Sequence, residues 1–328
     1  MGTSIGGILE PVKTTFNALS GKTVAVDAYN TLYQFLAIIR QPDGTPLTDS
    51  SGRATSHLSG LIYRTANLME KGIKLVFVFD GKPSDLKAGV IRNRSERREE
   101  ARRRWEEAEV PEEALKYAKA STRIDATIVE EAKQLLTYMG IPHVQALSEG
   151  EAQAAYMVIE GDAELVCSQD YDSLLFGAPV VIRNLSAQRK NTKLEVIDLN
   201  EFEKKRGISR EELVDLAILV GTDFNEGIRG VGAKTALKLI KKYHSIEELI
   251  AKSKIEVDAG IEDYELVRDI FLHPEVTESY ELKWVAPDDA KVKELLCEEH
   301  GFAEERVSKA LERISMLKVK QGSIEQWL

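Results

Sequence analysis

The chain has 328 residues with a formal net charge of −10, and 43% of its residues are hydrophobic and 30% charged. This composition is typical of a soluble globular protein, and no apolar run approaches the roughly 18 residues that a membrane span needs. The negative net charge argues mildly against a nucleic-acid partner, although the distribution of charge decides more than its sum.

Short apolar runs alternate with stretches of helical periodicity over the first half of the chain. The patterns predict strands at 23–26, 74–80 and 164–167 and helices at about 29–40, 54–71, 125–139 and 148–160. Apolar runs separated by helices favour an α/β fold with a mostly parallel central sheet and helices on both faces. From about residue 199 onward the pattern is almost wholly helical.

Targeting and redox signals point to the inside of a cell. The N-terminal residues MGTSIGGILE lack the basic and apolar build of a signal peptide, and Gly6 breaks the myristoylation pattern. Cys167 and Cys297 have neither metal-type spacing nor a disulfide framework. We therefore expect a reducing intracellular compartment.

Each predicted strand is followed by acidic residues: Asp27, Asp80, and the pair Asp170 and Asp172 in SQDYDSLLFG. The carboxyl ends of parallel strands form the sheet edge where ligands bind. In an extended segment, side chains at i and i+2 point to the same side, so the pair would share one place. Taken singly, each acid fits a turn or a cap; together they indicate one site.

Three further acids have stronger alternative interpretations. Glu149 and Glu151 lie in SEGEAQ, where Ser148 and Glu151 also fit a capping box at the start of a helix. A helix N-terminus stabilises carboxylates, so the same turn can present acids to a metal. Asp223, in LVGTDF, reads by itself as a loop residue.

Seven converging carboxylates would repel one another strongly at neutral pH unless cations lay between them. Mg²⁺ prefers oxygen ligands and keeps several waters, so seven acids fit two ions and their water shells. Two ions about 3.5–4 Å apart can activate a water and stabilise the leaving oxygen of a phosphodiester. The five histidines are scattered, which argues against a zinc hydrolase or a histidine-based nucleophile.

Positive charge is concentrated between Lys82 and Arg104, which contain nine basic and four acidic residues. Lys87 and Arg94 are seven residues apart, and on a helix they would point the same way. A Lys and an Arg beside a metal site could stabilise charge on a scissile phosphate. The alternative is a solvated helix face laced with salt bridges.

These stretches together make the family recognisable. The chain resembles the flap endonucleases, structure-specific 5′ nucleases of DNA replication and repair, over essentially its whole length, through the stretches VDAYNTLYQF, VFVFDGKPSDLKAG, SEGEAQAAY, SQDYDSLLFG and LVGTDFNEGIRGVGAKTALKLI. The resemblance implies a Mg²⁺-dependent 5′ flap endonuclease with 5′–3′ exonuclease activity that acts in Okazaki fragment maturation and repair. It implies two Mg²⁺ ions, with Mn²⁺ as a substitute, and a phosphate-stabilising role for Lys87 and Arg94. One metal site would be lined by Asp27, Asp80, Glu149 and Glu151, and the other by Asp170, Asp172 and Asp223.

The resemblance also implies how DNA is held. Residues 81–120 match the family's helical arch, which clasps the single-stranded 5′ end, and their few core residues suggest that they are mobile or disordered until DNA binds. Residues 211–245 match its helix–two-turn–helix element, with a K⁺ ion in the loop as a further expectation; a plain interhelical turn is the alternative. A tyrosine that could also be a core aromatic matches the residue that stacks on a base beside the cut. The expected DNA contacts are Tyr33, Arg98, Arg102, Arg103, Gly230, Gly232, Lys234, Lys238, Lys241 and Lys242.

The last eight residues, QGSIEQWL, resemble the peptide with which this family binds the sliding clamp, and follow a nuclease core of residues 1–320. Its anchors are Gln321, Ile324, Trp327 and Leu328; a C-terminal packing segment is the alternative. Eukaryotic members carry a further basic tail, so we expect an archaeal, cytoplasmic, monomeric protein, nuclear only if its source is eukaryotic. Two other functions stay open: a sister 5′ nuclease (an exonuclease or a bubble or junction cutter), and a catalytically inactive clamp-bound scaffold on DNA junctions.

Overall fold

A computed structural model describes residues 2–41, 43–106, 116–117, 120–186, 193–253 and 260–325. Its centre is a seven-stranded sheet in the order β1-β7-β6-β5-β2-β3-β4. The strands are β1 (Val12–Thr14), β2 (Thr23–Asp27), β3 (Lys74–Phe79), β4 (His143–Gln145), β5 (Leu165–Cys167), β6 (Val180–Arg183) and β7 (Leu194–Asp198). The five strands from β6 to β4 are parallel, whereas β7 and β1 are antiparallel to their neighbours. The prediction of a mostly parallel sheet is confirmed.

Helices surround the sheet, and most of the later chain is helical. They are α1 (Ala28–Ile38), α2 (Ser56–Glu70), α3 (Ala88–Glu106), α4 (Ala126–Tyr138), α5 (Gly150–Ile159), α6 (Asp172–Leu175), α7 (Leu199–Arg206), α8 (Arg210–Val220), α9 (Ala233–Tyr243), α10 (Ile246–Ser253), α11 (Tyr264–Leu272), α12 (Asp289–Lys293) and α13 (Glu304–Glu325). A π-helical turn, Glu294–Glu299, follows α12. In the described part of the chain, no helix combines the length and apolarity of a membrane span.

Strand alternation divides the core into two clusters, one on each face of the sheet. Val24 and Val26 of β2 pack with α1, α2, α4 and α13, whereas Ala25 between them packs with α5, α8 and α11. Successive side chains of a strand point to opposite faces, so an unbroken apolar run is what a strand covered on both sides requires. The three predicted strands are β2, β3 and β5, and they lie side by side in the middle of the sheet.

The short strands β1 and β4 at the two edges, and the pair β6 and β7, were not predicted from the sequence. At both edges the burial is incomplete, and His143 in β4 and Val12 in β1 are not core residues. Three residues with partial burial give too short an alternation to read as a strand. Their pairing partners, not their own sequence, place them in the sheet.

The expected arch is partly described. Residues 88–106 form helix α3, and residues 107–115 and 118–119 lie outside the described part of the chain. That the arch is mobile or disordered until DNA binds stays a prediction. Charged pairs support α3: Arg104 bonds Glu100 one turn away, and Arg123 bonds Glu99 at 3.0 Å. Ala101 is buried, so this highly charged helix still has one packed position.

Candidate active site

The register of β2 and β3 places the acids at their ends, Asp27 and Asp80, at the same edge of the sheet. β2 lies between β3 and β5, and Asp27 is paired with Val78, two residues before Asp80, while Val26 is paired with Cys167. The three strands are parallel, so the residues after them emerge at one edge of the sheet. Asp27 also caps α1, because its Oδ1 accepts a hydrogen bond from Asn30 N at 3.0 Å.

The segment after β5 completes this edge, but it is not extended. Asp172 is the first residue of the short helix α6, so the i, i+2 argument for the pair with Asp170 is wrong in its geometry. The two carboxylates nevertheless lie close enough that the charge of Asp170 contributes to raising the pKa of Asp172. The N-terminal segment holds Asp172 in place, since Thr3 N donates to its Oδ1 at 2.7 Å.

Helix α5 brings Glu149 and Glu151 to the same edge. Glu149 occupies the N-cap position without a side-chain cap, so the capping box predicted for Ser148 and Glu151 does not form. Asp80 acts in its place: its Oδ1 accepts a hydrogen bond from Gly150 N at 2.7 Å. Glu151 accepts a bond from Ser173 Oγ at 2.9 Å. The helix start is therefore stabilised by an acid from the neighbouring strand, and its own acids are available to the site.

Lys87 and Asp223 complete the cluster. Lys87 Nζ bonds Glu149, lies 5.0 Å from the centre of the Phe224 ring, and is 17% exposed at its side chain. Burial opposes its charge, but the negative charges of Glu149, Asp223 and Asp80 outweigh burial and raise the pKa of Lys87. Lys87 ends a 3₁₀ turn and α3 begins one residue later, so Lys87 and Arg94 do not share one α-helix as assumed.

Burial, followed by repulsion between neighbouring carboxylates, dominates the electrostatics of the site. Burial and then the charge of Asp80 raise the pKa of Asp27 to about 7. Burial and then Glu149 raise the pKa of Asp80 to about 6, and burial and then Asp223 raise the pKa of Asp172 to about 6. The pKa of Glu151 is raised well above its ordinary value by burial and then by Asp172. The structure thus brings all seven predicted acids into one interacting cluster.

The donor chemistry of this cluster suits hard divalent cations. Its donors are carboxylate oxygens, and the acids repel one another at neutral pH, which a cation between them would relieve. Among the described residues, no three His, Cys, Asp or Glu side chains stand in the arrangement of ligands around one ion. Protein donors orient several of the acids instead: the backbone N–H groups of Thr3 and Gly150, and the ammonium of Lys87.

The predicted DNA contacts lie on α1, α3, α9 and the turn before α9. Helix α9 buries Ala233, Ala236 and Ile240 and exposes its four lysines, Lys234, Lys238, Lys241 and Lys242. The turn between α8 and α9 contains exposed Gly230 and Gly232, and the φ angle of Gly230 is +85°. Arg102 and Arg103 are exposed on α3, and Arg98 and Tyr33 are half-buried. Arg94 belongs to α3, but only its backbone is within the described part of the chain.

The predicted clamp-binding segment is described only in part. The backbone of α13 continues through Glu325, so Gln321 and Ile324 lie on a helix. Trp327 and Leu328 lie outside the described residues. The clamp-binding role therefore stays a prediction.

Several residues at the site were not found from the sequence. Thr3 and Asn30 hold acids through hydrogen bonds, as do the hydroxyls of Ser168 and Ser173. Gly2 lies against Asp172: a Cβ there would come within 2.6 Å of both carboxylate oxygens. Thr3 and Gly2 lie far from the acids in the sequence, so no local pattern could identify them. Asn30 follows Asp27 by three residues, and this N-cap spacing is the local signal that could identify it.

Comparisons with known proteins identify the family. Residues 2–101 match the XPG N-terminal domain and residues 140–223 match the XPG I-region. The chain is 54% identical to Flap endonuclease 1 of Methanocella arvoryzae and 50% identical to that of Archaeoglobus fulgidus, in both cases over 100% of each chain.

Similar solved structures support the same family assignment and fold. The structure of flap endonuclease-1 from Methanococcus jannaschii covers 98% of this chain and 100% of its own, with 38% identity and a TM-score of 0.80. The catalytic core of Rad2 in complex with DNA substrate matches the fold, with 24% identity, a TM-score of 0.74 and coverage of 96% and 100% of the two chains. The chain therefore belongs to the flap endonuclease family, and it is a nuclease, a hydrolase of phosphodiester bonds.

Proposed function

We propose that the chain is a Mg²⁺-dependent, structure-specific 5′ flap endonuclease with 5′–3′ exonuclease activity. The observation that carries this proposal is the gathering of seven acids at one edge of the sheet, beside a lysine whose pKa is raised. Full-length similarity to archaeal proteins named Flap endonuclease 1 supports the substrate. The cellular role would be removal of 5′ flaps in Okazaki fragment maturation and repair, in the cytoplasm of an archaeal cell.

The acids would hold two Mg²⁺ ions, or Mn²⁺ in their place. The expected division is Asp27, Asp80, Glu149 and Glu151 for one ion, and Asp170, Asp172 and Asp223 for the other. When bound, such ions lower the pKa of a water and stabilise charge on the phosphate. The protein's own contribution is to bury the carboxylates and to orient them before the ions arrive, through donors such as Thr3 N and Gly150 N.

Lys87 would act on the scissile phosphate from the side of α3. Its raised pKa keeps the ammonium charged, and Glu149 and the ring of Phe224 hold it at the rim of the acids. A charged donor placed there can bond a phosphate oxygen as negative charge develops during attack by water. As water attacks the phosphorus, the P–O3′ bond would break, so the strand on the 5′ side of the cut would end in a 3′-hydroxyl and the strand on the 3′ side would begin with a 5′-phosphate. We assign Arg94 the same role.

The duplex would be held away from the cut. The exposed lysines of α9 follow a glycine-rich turn, where backbone N–H groups can bind phosphates without reading sequence. Loop carbonyls of the helix–two-turn–helix element, 211–245, would hold a K⁺ ion. Tyr33 would stack on a base beside the cut, and the arch 81–120, with Arg98, Arg102 and Arg103, would hold the single strand. Residues 321–328 would bind the sliding clamp of a monomeric enzyme, and residues 1–320 would form the nuclease core.

The first experiment is cleavage of a labelled double-flap DNA with Mg²⁺ or with EDTA, by the wild type and by Asp170→Ala. We expect one metal-dependent cut near the flap base that is lost in the variant. Tight DNA binding without any cut in Mg²⁺ or Mn²⁺ would contradict the proposal and favour the inactive scaffold. Preferred cleavage of a bubble or a four-way junction over the flap would favour a sister nuclease.

Lys87 is tested by single-turnover cleavage with Lys87→Ala and, as a matched control, Lys82→Ala. Lys82 is exposed, five residues earlier, and no acid of the cluster is bonded to its side chain in the described contacts. We expect Lys87→Ala to slow the chemical step about 10²–10³-fold with little change in DNA affinity, and Lys82→Ala to change the rate little. Intact rates in Lys87→Ala would exclude this role.

A further inference from the structure

We propose that Asn30 is a positioning residue that fixes the carboxylate of Asp170 relative to Asp27, and thereby sets the affinity of the acid cluster for divalent cations. The inference rests on the proposed metal-dependent function. It concerns a neutral side chain that is neither one of the seven acids nor one of the expected DNA contacts.

Asn30 contacts acids from two different strands. Its backbone N donates to Asp27 Oδ1 at 3.0 Å, and its side-chain Nδ2 donates to Asp170 Oδ2 at 3.0 Å. Asp27 ends β2, whereas Asp170 belongs to the loop after β5. A single residue in the first turn of α1 therefore links the rigid end of a central strand to an irregular loop.

The orientation of the Asn30 amide is determined by its other contacts. Its Oδ1 accepts hydrogen bonds from Gln34 Nε2 at 2.6 Å and from Gln169 N at 3.3 Å. Gln34 is oriented in turn, because its Oε1 accepts a bond from Ser186 Oγ at 3.2 Å. A flipped Asn30 amide would turn its NH₂ toward two donors and its oxygen toward a carboxylate, so only one orientation satisfies all partners.

A neutral donor suits this position. An ammonium beside Asp170 would neutralise the carboxylate and compete with a cation. The amide instead fixes the carboxylate plane and leaves its charge intact. Partners that orient metal-binding groups in this way change metal affinity by about 10–100-fold when removed.

The test is Mn²⁺ binding to the DNA-free protein, followed by the electron paramagnetic resonance signal of free Mn²⁺. We expect Asn30→Ala to weaken binding about 10-fold or more. Gln34→Leu keeps the Asn30 amide but frees its orientation, so it should weaken binding by a smaller factor. Asn67→Ala is the matched control: it removes the same amide from α2, where its partner is Arg313, and it should leave Mn²⁺ affinity unchanged.

Two further readouts separate positioning from other roles. The Mg²⁺ concentration for half-maximal single-turnover rate should rise in Asn30→Ala, while the rate at saturating Mg²⁺ returns to within a few-fold of the wild type. DNA affinity in EDTA should stay unchanged. A large loss of DNA affinity in EDTA, or Mn²⁺ affinity equal to that of the wild type in a folded variant, would overturn the inference.

The two proposals fail in distinguishable ways. If the wild type binds no Mn²⁺ and cuts no flap DNA, the proposed function itself is wrong. If the wild type binds Mn²⁺ and cuts, but Asn30→Ala and Gln34→Leu bind Mn²⁺ as the wild type does, only the positioning role of Asn30 is wrong. If Asn30→Ala is unfolded by circular dichroism, Gln34→Leu decides, since it keeps the Asn30 side chain and removes only the bond that orients its amide.

Discussion

Asp27→Asn should stabilise the metal-free protein at pH 8 while abolishing cleavage. Asp27 is 6% exposed, and burial, then Asp80, then Asp170 raise its pKa from 3.8 to about 7. A carboxyl whose pKa is raised by folding favours the fold fully below pH ~3.8, and this contribution is lost as pH rises through about 7. The ionised side chain therefore costs stability at pH 8, and the asparagine variant lacks that cost.

The magnitude follows from the shift in pKa. About three units at ~1.4 kcal/mol per unit give a gain on the order of 4 kcal/mol for Asp27→Asn at pH 8, falling to roughly 2 kcal/mol at pH 5, where folded Asp27 is protonated. The cap on α1 survives, because asparagine is as good an N-cap as aspartate and keeps an oxygen for Asn30 N.

The assay is urea denaturation in EDTA at pH 5 and pH 8, followed by circular dichroism. Asp125→Asn is the matched control: Asp125 caps α4 by accepting from Ile128 N at 2.9 Å, but it is exposed. Its substitution should change stability by less than about 0.5 kcal/mol at either pH. A variant at position 27 no more stable than the wild type at pH 8, or a gain that does not shrink at pH 5, would refute the electrostatic reasoning.

Three other substitutions test the structure. Gly2→Ala places a Cβ within 2.6 Å of both oxygens of Asp172, so single-turnover cleavage should fall about 10-fold or more, and an unchanged rate would contradict this contact. Arg268→Ala leaves the buried carboxylate of Asp215 without its bidentate partner and should lower the free energy of unfolding by about 3–5 kcal/mol, measured by urea denaturation; adding Asp215→Asn should restore part of the loss. Gly227→Ala strains a residue with φ +74° and puts a Cβ 2.3 Å from Gly221 N, so flap-DNA affinity, measured by fluorescence anisotropy in EDTA, should fall; unchanged affinity would indicate that this turn does not position the duplex contacts.

The sequence by itself determined the centre of the fold and the chemistry of its edge. The apolar runs of β2, β3 and β5 are unbroken because both faces of the sheet are covered. These three strands could therefore be predicted from the local sequence pattern alone. The acids that follow them, Asp27, Asp80 and Asp170, could be predicted to meet because parallel strands end on the same side. The exposure of the α9 lysines could also be predicted, since the apolar positions of this helix recur at helical spacing.

Only the tertiary structure decided how the acids are held. Thr3 N donates a hydrogen bond to Asp172, 169 residues away in the sequence, and Gly150 N donates one to Asp80, 70 residues away. Such contacts depend on which surfaces of distant segments pack together, so they leave no periodic trace in the local sequence. The same is true of the raised pKa values: an aspartate has an ordinary pKa until folding buries it beside others, and that burial is a property of the packed sheet edge alone.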